Sequence, residues 1–373
     1  MSSGELGTPV GPTDLHTAAA RFQPVRLTLA RERMGLTKTA LAVKIHKTPA
    51  ALSQFESGQV RPDARTVGIL AFALGVPPSF FTVAHHAPLP SIDNCHFRSL
   101  RSASQRDRRR LLATACLRSQ IIEALGQHVD FPPERISEVA TPASDAAEIE
   151  QCAVATRKGW GLGMGPIPNL TTLLESRGVV VSEIPAECRK VDAFSTWHAR
   201  RPLVFLVMYK GSASRTRFDA AHELGHLVMH DDVTPGSPSL ERQANRFAGA
   251  FLIPRESFLA ECPRRIHWGH LYEMKRRWRV SVAGLVRRGY DLGVYSESAY
   301  RRAYMHLNAT GERTSEKHEP PEEPPTLLRQ ALTIVQEDGV LTRIAEQLGL
   351  NQSTVADLVD PRAALDAKTS QAR

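Results

Sequence analysis

The sequence predicts a multidomain chain with an all-α N-terminal domain, an α+β domain in its second half, and a helical extension at the C-terminus. Three observations predict this. Between Val25 and Phe81 apolar residues recur at helical spacing, broken at Gly35, His46 to Thr48, Gly58 and Gly75, as in a compact set of short helices. From Ala146 to Gly293 the pattern is mixed, and "PLVFLVMY", Pro202 to Tyr209, reads as a buried strand. Stretches rich in Pro, Gly and charge separate these regions. At 373 residues and 42% hydrophobic content, two or three domains can each bury a core.

In chain order, residues 1–24 carry Gly, Pro, Ser and Thr without periodicity and are expected to be a flexible tail, followed by the helical domain over 25–84. Residues 85–145 read as a linker and a basic helix from Gln105 to Leu125. Arg101, Arg106, Arg108, Arg109 and Arg110 form a solvated face there, with contact to phosphate as the alternative. The mixed domain spans 146–304. It begins with a helix to Trp160, the turn "GLGMGPIPN", a helix over Leu170 to Arg177 and the strand "GVVVSEI". Pro202 to Tyr209 then precedes a histidine-rich helix, and helices around Glu241 to Ala250 and Leu271 to Arg288 complete the α+β unit. Residues 305–326, with "GERTSEKHEPPEEPPT", read as a Pro/Glu-rich linker, 327–361 as a last helical element, and 362–373 as a disordered tail.

Bulk properties narrow the function classes. No apolar run reaches the length of a membrane span, and "MSSGELGTPVGPTDLH" has neither a basic start nor an apolar stretch, so a cytoplasmic, nucleoid-associated protein without membrane contact is expected. The five cysteines, Cys95, Cys116, Cys152, Cys188 and Cys262, are odd in number and form no CxxC pair. They read as reduced thiols, so a metal would fall to His and carboxylate ligands. The net charge of +8 permits attraction to nucleic acid without establishing it.

In "LTKTALAVKIHKTPAALSQFESG" the small Ala42 lets two helices approach, Thr48 caps the second helix, and Pro49 takes its first position, where a missing N–H costs nothing. Leu41, Ile45, Leu52 and Phe55 face inward together. Pro49, Ala50, Ser53 and Gln54 stay exposed near the helix start, where a recognition helix meets a major groove. With "RPDARTVGILAFALGVPPSFF" this region resembles the phage-repressor-like (Xre-type) helix-turn-helix domains, through Glu56, Gly58, Pro62, Leu70, Ala71, Leu74, Gly75 and Val76. His46 stands where the family usually has Gly, which implies a less regular turn. The resemblance implies an operator in double-stranded DNA, Gln54 as a base contact, and Lys38 and Thr48 nearer phosphate. A helical protein–protein module on the same scaffold is the alternative. The C-terminal "RIAEQLGLNQSTVADLV" repeats the pattern, Ala345 matching Ala42, Asn351 matching Thr48 and Val355 matching Leu52. Lacking a basic face, it reads as a packing or dimerisation element.

The histidine-rich helix is "FDAAHELGHLVMH". Residues four apart share a helix face, so His222 and His226 can direct their rings at one ion, with Glu223 beside it, the HExxH arrangement of zinc peptidases. Five residues alone are weak evidence, and a helix with core histidines is the bland alternative. Gly225 inside a helix costs roughly 1 kcal/mol relative to Ala, which suggests that another backbone or a substrate passes close by. The strand Pro202 to Tyr209 could offer an edge for an extended peptide. A third ligand has two candidates. His230 lies one more turn along, about 6 Å away and awkward for the same ion. Glu241 opens the next helix, with Asn245 one turn on, able to accept a hydrogen bond from a ligand imidazole.

"AHELGHLVMH" followed by "ERQANRFAGAFLIPRESF" strongly resembles the ImmA/IrrE family of metallopeptidases, as do "GPIPNLTTLLESRGVVV", "DAFSTW" and "WRVSVAGLVRRGYDLG". The likeness runs from about Ala146 to Tyr304. It implies a minimal gluzincin-like α+β fold, one Zn2+ per chain on His222, His226 and Glu241, and Glu223 as the group that activates water. Asn245 stands where related peptidases often have Asp and, being neutral, would orient its histidine less strongly. His230 matches a frequent family histidine whose role spacing does not reveal, a helix-end hydrogen bond being the plain reading. His198, Tyr209 and Arg217 are the candidate oxyanion donors, each with a structural role as the alternative.

Together the two resemblances imply a bacterial or phage-derived regulator, in which a peptidase tethered to a DNA reader cleaves a repressor-type protein in a stress or mobile-element response. Two half-sites per operator point to a homodimer. The other reading is a proteolytically silent transcription factor whose peptidase-like domain senses a ligand or metal.

Overall fold

The structure, a computed structural model, describes residues 14–84, 96–97, 104–184, 193–198, 201–208, 211–230, 237–337 and 339–361. The expected C-terminal tail, most of the N-terminal one, Cys95, Arg101, Cys188 and Tyr209 lie outside them. The chain forms two compact units, one from Met1–Ile92, Ser104–Asp130 and Arg329–Arg373, the other from Asp93–Ala103 and Phe131–Leu328. No helix among the described residues is long and apolar enough to cross a membrane.

The first unit is all helical: α1 (Leu15–Ala20), α2 (Pro24–Arg33), α3 (Lys38–Lys44), α4 (Pro49–Ser57), α5 (Ala64–Leu74), a 3-10 turn at Pro78–Thr82, α6 (Gln105–Leu125), α15 (Leu327–Glu337), α16 (Val340–Leu348) and α17 (Gln352–Val359). Local signals set the helix ends. Thr37 and Thr48 cap α3 and α4 by accepting the N–H of Ala40 and Ala51, and Gly58 closes α4 in the left-handed conformation. Leu41, Ile45, Leu52 and Phe55 are buried together, as their spacing predicts. His46 adopts φ 54, the left-handed conformation that suits Gly, so the turn keeps its geometry without one.

The basic helix, α6, is more than a solvated face. Arg106 and Arg109 are exposed, but from Leu111 to Leu125 nearly every residue is buried, because α2, α16 and α17 pack around it. Arg118 donates to the Leu358 carbonyl at 2.6 Å, and Arg26 reaches the Leu348 carbonyl at 2.8 Å. Gly349, left-handed between α16 and α17, lies so close to the Phe80 backbone that a Cβ would sit 2.7 Å from it. The C-terminal helix pair thus packs into the first unit.

The second unit contains β1 (His96–Phe97), α7 (Ala146–Gly159), α8 (Leu170–Ser176), β2 (Val180–Glu183), β3 (Ala193–His198), β4 (Arg201–Leu206), α9 (Ala213–Met229), α10 (Pro238–Leu252), α11 (Arg255–Glu261), α12 (Trp268–Trp278), α13 (Val282–Asp291) and α14 (Glu297–Ala309). The sheet order is β1-β3-β4-β2, with β4 antiparallel to β3 and parallel to β2. The apolar strand is therefore central, and the expectation that it offers a free edge to a peptide is corrected, because β2 and β3 take both of its sides. α9 packs on β3 and β4, and α10 packs on α9 and α7. The helix expected over Leu271 to Arg288 is two helices, since Arg279 turns left-handed (φ 55) and ends α12.

The Pro/Glu-rich stretch expected as a linker is instead a strap on the second unit. Glu316 and Glu319 each accept from the buried Lys275 at 2.6 Å. Glu316 also accepts the Val282 N–H at the start of α13, and Glu319 the Ser214 N–H at the start of α9. Glu323 pairs with Arg217 and accepts the Leu170 N–H at the start of α8. Glutamates at this spacing find one buried cation after another and three helix N-termini, where anions are favoured.

Candidate metal centre

α9 starts at Ser212, whose hydroxyl accepts the Arg215 N–H, and from Thr216 onward every residue but the half-buried Phe218 is buried. His222 and His226 project from it toward Glu241, in the first turn of α10. Gly225 permits this approach. A Cβ there would meet the Phe247 ring of α10 at 3.0 Å, so the close neighbour is this phenyl group rather than a substrate or another backbone. Phe247 is fully buried and has nowhere to swing. Gly225→Ala is accordingly expected to destabilise the second unit by about 1–3 kcal/mol through overpacking, seen as a lower denaturant midpoint.

The three side chains form a compact triangle. His222 Nε2 and His226 Nε2 are 3.1 Å apart, and the Glu241 carboxylate lies 3.3 Å from the first and 3.4 Å from the second. Four ligands held tetrahedrally about 2.0–2.1 Å from zinc are about 3.3 Å from one another, so the donor set and its spacing fit that ion. Both imidazoles are buried, and burial pushes the His226 pKa down to about 4. Burial raises the Glu241 carboxyl, but the hydrogen bond from His222 and the two imidazoles facing it together outweigh this and hold the group well below the usual carboxylate range. At neutral pH His226 is neutral and Glu241 charged, the forms in which each can donate a lone pair to a metal.

His230 closes α9 and stands behind the triangle, its Nδ1 3.0 Å from His226 Nδ1 and its Nε2 2.9 Å from Gln243 Oε1. Gln243 Nε2 donates to the Ser144 carbonyl, which turns its oxygen toward His230. The hydrogen-bond roles then follow in order. His230, kept neutral by burial, donates from Nε2 and accepts at Nδ1, His226 donates from Nδ1, and His226 Nε2 is left unprotonated toward Glu241. Asn245 donates its amide to the Glu241 carbonyl at 2.7 Å. Glu223 is fully buried, and Ser195 Oγ on β3 donates to its Oε2 at 2.7 Å.

Residue spacing does not reveal Gln243 or Ser195. Ser195 sat within "DAFSTW", a stretch carrying the family resemblance, but nothing in its spacing marked it. Of the oxyanion candidates, Arg217 is buried against Glu323 and the Ile167 carbonyl, a structural position, and His198 ends β3 half-buried. In the first unit Thr48, Pro49, Ala50 and Gln54 are exposed along the start of α4, with Ser53 half-buried among them. Lys38 extends from α3 to Ser53 Oγ at 3.5 Å and to Glu56 at 3.4 Å. Glu56 itself is buried and holds Arg31, which ties α4 to α2.

Residues 174–288 match the family model described as IrrE N-terminal-like domain, a peptidase family, and residues 27–81 match the model described as Helix-turn-helix. One chain thus carries a region similar to Xre-like helix-turn-helix domains and a region similar to ImmA/IrrE-type peptidases. No curated protein matches it. The IrrE-like match runs from the end of α8 through β2, β3, β4 and α9 to α12 and most of α13, and so includes the whole triangle. It implies a metal, and the cluster of His222, His226 and Glu241 is where the described residues could hold one. The helix-turn-helix match covers α3 and α4 and supports DNA binding.

Proposed function

We propose that this chain is a DNA-binding regulator whose IrrE-like domain is a zinc-dependent endopeptidase of narrow specificity, acting on a repressor-type protein in a stress or mobile-element response. The observation that carries the proposal is the triangle of His222, His226 and Glu241, with the buried carboxylate of Glu223, next to His222 in the chain, held by the Ser195 hydroxyl. These three residues hold one metal ion, zinc being the ion their spacing suits. Bound there, it lowers the pKa of a coordinated water toward neutrality and polarises a substrate carbonyl.

The chain's own groups supply the rest. Ser195 orients the Glu223 carboxylate through Oε2, and the carboxylate takes a proton from water and passes it to the leaving amine. His230 and Gln243 fix the His226 tautomer, and Asn245 braces the turn that carries Glu241. His230→Ala is expected to weaken zinc binding by about 10- to 100-fold, measured by competition with a chelator of known affinity.

In the first unit, Gln54 reads a base, and Pro49, Ala50 and Ser53 line the groove-facing start of α4, with Lys38 and Thr48 against phosphate. A homodimer on two half-sites serves this arrangement. The proposal is tested by profiling protein N-termini in cells making the wild type or Glu223→Gln. A new N-terminus in a DNA-binding protein, seen with the wild type alone, is expected. Identical profiles under inducing conditions would favour a regulator that senses a ligand without cutting.

A further inference from the structure

One helical turn along α9 and α10 from the three ligands, none of which lines it, lies a separate cavity. His230 beside Gln243 and Gly225 beside Phe247 show the two helices to be antiparallel. Phe218 and Arg215 therefore precede His222 on its own face, in the direction in which Asn245 and Gly249 follow Glu241. These four residues line one cavity of about 390 Å³, bounded also by α13, Tyr304 and the strap and partly open to solvent. Gly249 keeps the floor open: a Cβ there would meet Arg288 Cδ at an ordinary 3.6 Å, and anything longer would enter the cavity.

The lining is strongly cationic. Two of its arginines are neutralised, Arg287 by Asp291 at 2.9 and 3.0 Å and Arg288 by Glu150. Of the two acidic residues in the lining, Asp291 is thus used, and Glu316 is taken by Lys275. Among the described residues Arg215, Arg242, Arg246 and Arg313 have no carboxylate partner and the buried Nε of Arg246 has no hydrogen-bond acceptor, though its Nη2 reaches the Asp291 carbonyl at 3.3 Å. Several guanidinium groups around one partly enclosed space concentrate positive potential, and their planar donors suit carboxylate or phosphate oxygens. Asn245 and Phe218 lie one helical turn, about 6 Å, from the metal ligands. An extended peptide advances about 3.3 Å per residue, so that distance is about two residues.

We infer that this cavity is a specificity subsite that binds the carboxylate of an Asp or Glu about two residues from the scissile bond. The inference rests on the peptidase reading and names the substrate class for it. It is tested with zinc-loaded, full-length Glu223→Gln, which binds without cutting, and two fluorescein-labelled pools of end-blocked hexapeptides, one with a fixed Glu and one with Gln in its place. Anisotropy should show the Glu pool binding at least about tenfold tighter. The preference should vanish on adding Arg242→Gln with Arg246→Gln. It should vanish also on adding Gly249→Leu, which fills the space and keeps every charge. Equal binding of the pools by zinc-containing protein would overturn the inference and leave the peptidase reading standing, as would a Glu preference that survives both sets of changes. Tight binding of inorganic phosphate with no binding of either pool would assign the cavity to a free phosphate compound and overturn it too. Zinc content, measured separately on the wild type, tests the peptidase reading on its own.

Discussion

Glu223→Gln is expected to lower peptide cleavage by about 10²- to 10⁴-fold while leaving zinc content unchanged. The two side chains have the same shape, and Ser195 can donate to the new amide oxygen as it does to the carboxylate at 2.7 Å. What is lost is the acceptor for a water proton. Because Glu223 is fully buried and outside the triangle, its replacement leaves His222, His226 and Glu241 in place. Single-turnover cleavage of the substrate found by N-terminal profiling, with zinc measured on the same samples, checks both halves. Cleavage at the wild-type rate would remove Glu223 from the mechanism, and lost zinc would mean that it shapes the metal site.

Lys275→Met should destabilise the second unit by about 3–5 kcal/mol, the usual penalty for breaking a buried ion pair from one side. Lys275 is fully buried and its ammonium lies 2.6 Å from both Glu316 and Glu319. Without it two neighbouring carboxylates share a site with no counter-ion, and the strap loses its hold on the first turn of α9. Burial raises the Glu319 carboxyl, but the hydrogen bonds from Lys275 and from the Ser214 N–H and hydroxyl, with the Lys275 charge, together outweigh it and the pKa is lowered overall. A carboxyl with a lowered folded-state pKa contributes stability that is present above its unfolded pKa and lost as pH falls through the folded one. The wild type should therefore weaken below the ordinary carboxylate range, and Lys275→Met should show less of this acid dependence. Denaturant titrations of both proteins at neutral and acidic pH measure it, and an unchanged midpoint would mean that the strap contributes nothing.

Much of the fold was legible because its signals are local. Thr48, Pro49 and Gly58 announce the start and end of α4 within ten residues, and the interval between His222 and His226 is itself a statement about a helix face. Glu241 was reachable by spacing only as one of two candidates, and the family resemblance chose between them. The contacts that spacing could not supply join distant parts of the chain. Ser195 meets Glu223 only because β3 packs under α9, and Gln243 meets His230 only after α10 folds back. Composition misleads on the strap for the same reason. Its composition is that of a solvated linker, and the groups that bind it, Ser214, Arg217 and Lys275, lie far back in the sequence. Gly225 was a true signal of close approach, but a sequence cannot say that the neighbour is Phe247.

The central claim is that His222, His226 and Glu241 hold a metal ion. Metal content of the purified protein, wild type beside Glu241→Ala, tests it most directly. The account predicts about one zinc per wild-type chain and little or none in the variant, because two histidines alone leave the tetrahedral site short of a ligand. Wild type without zinc, or zinc that survives the loss of Glu241, would contradict it and leave a DNA-binding protein with a peptidase fold that does something else.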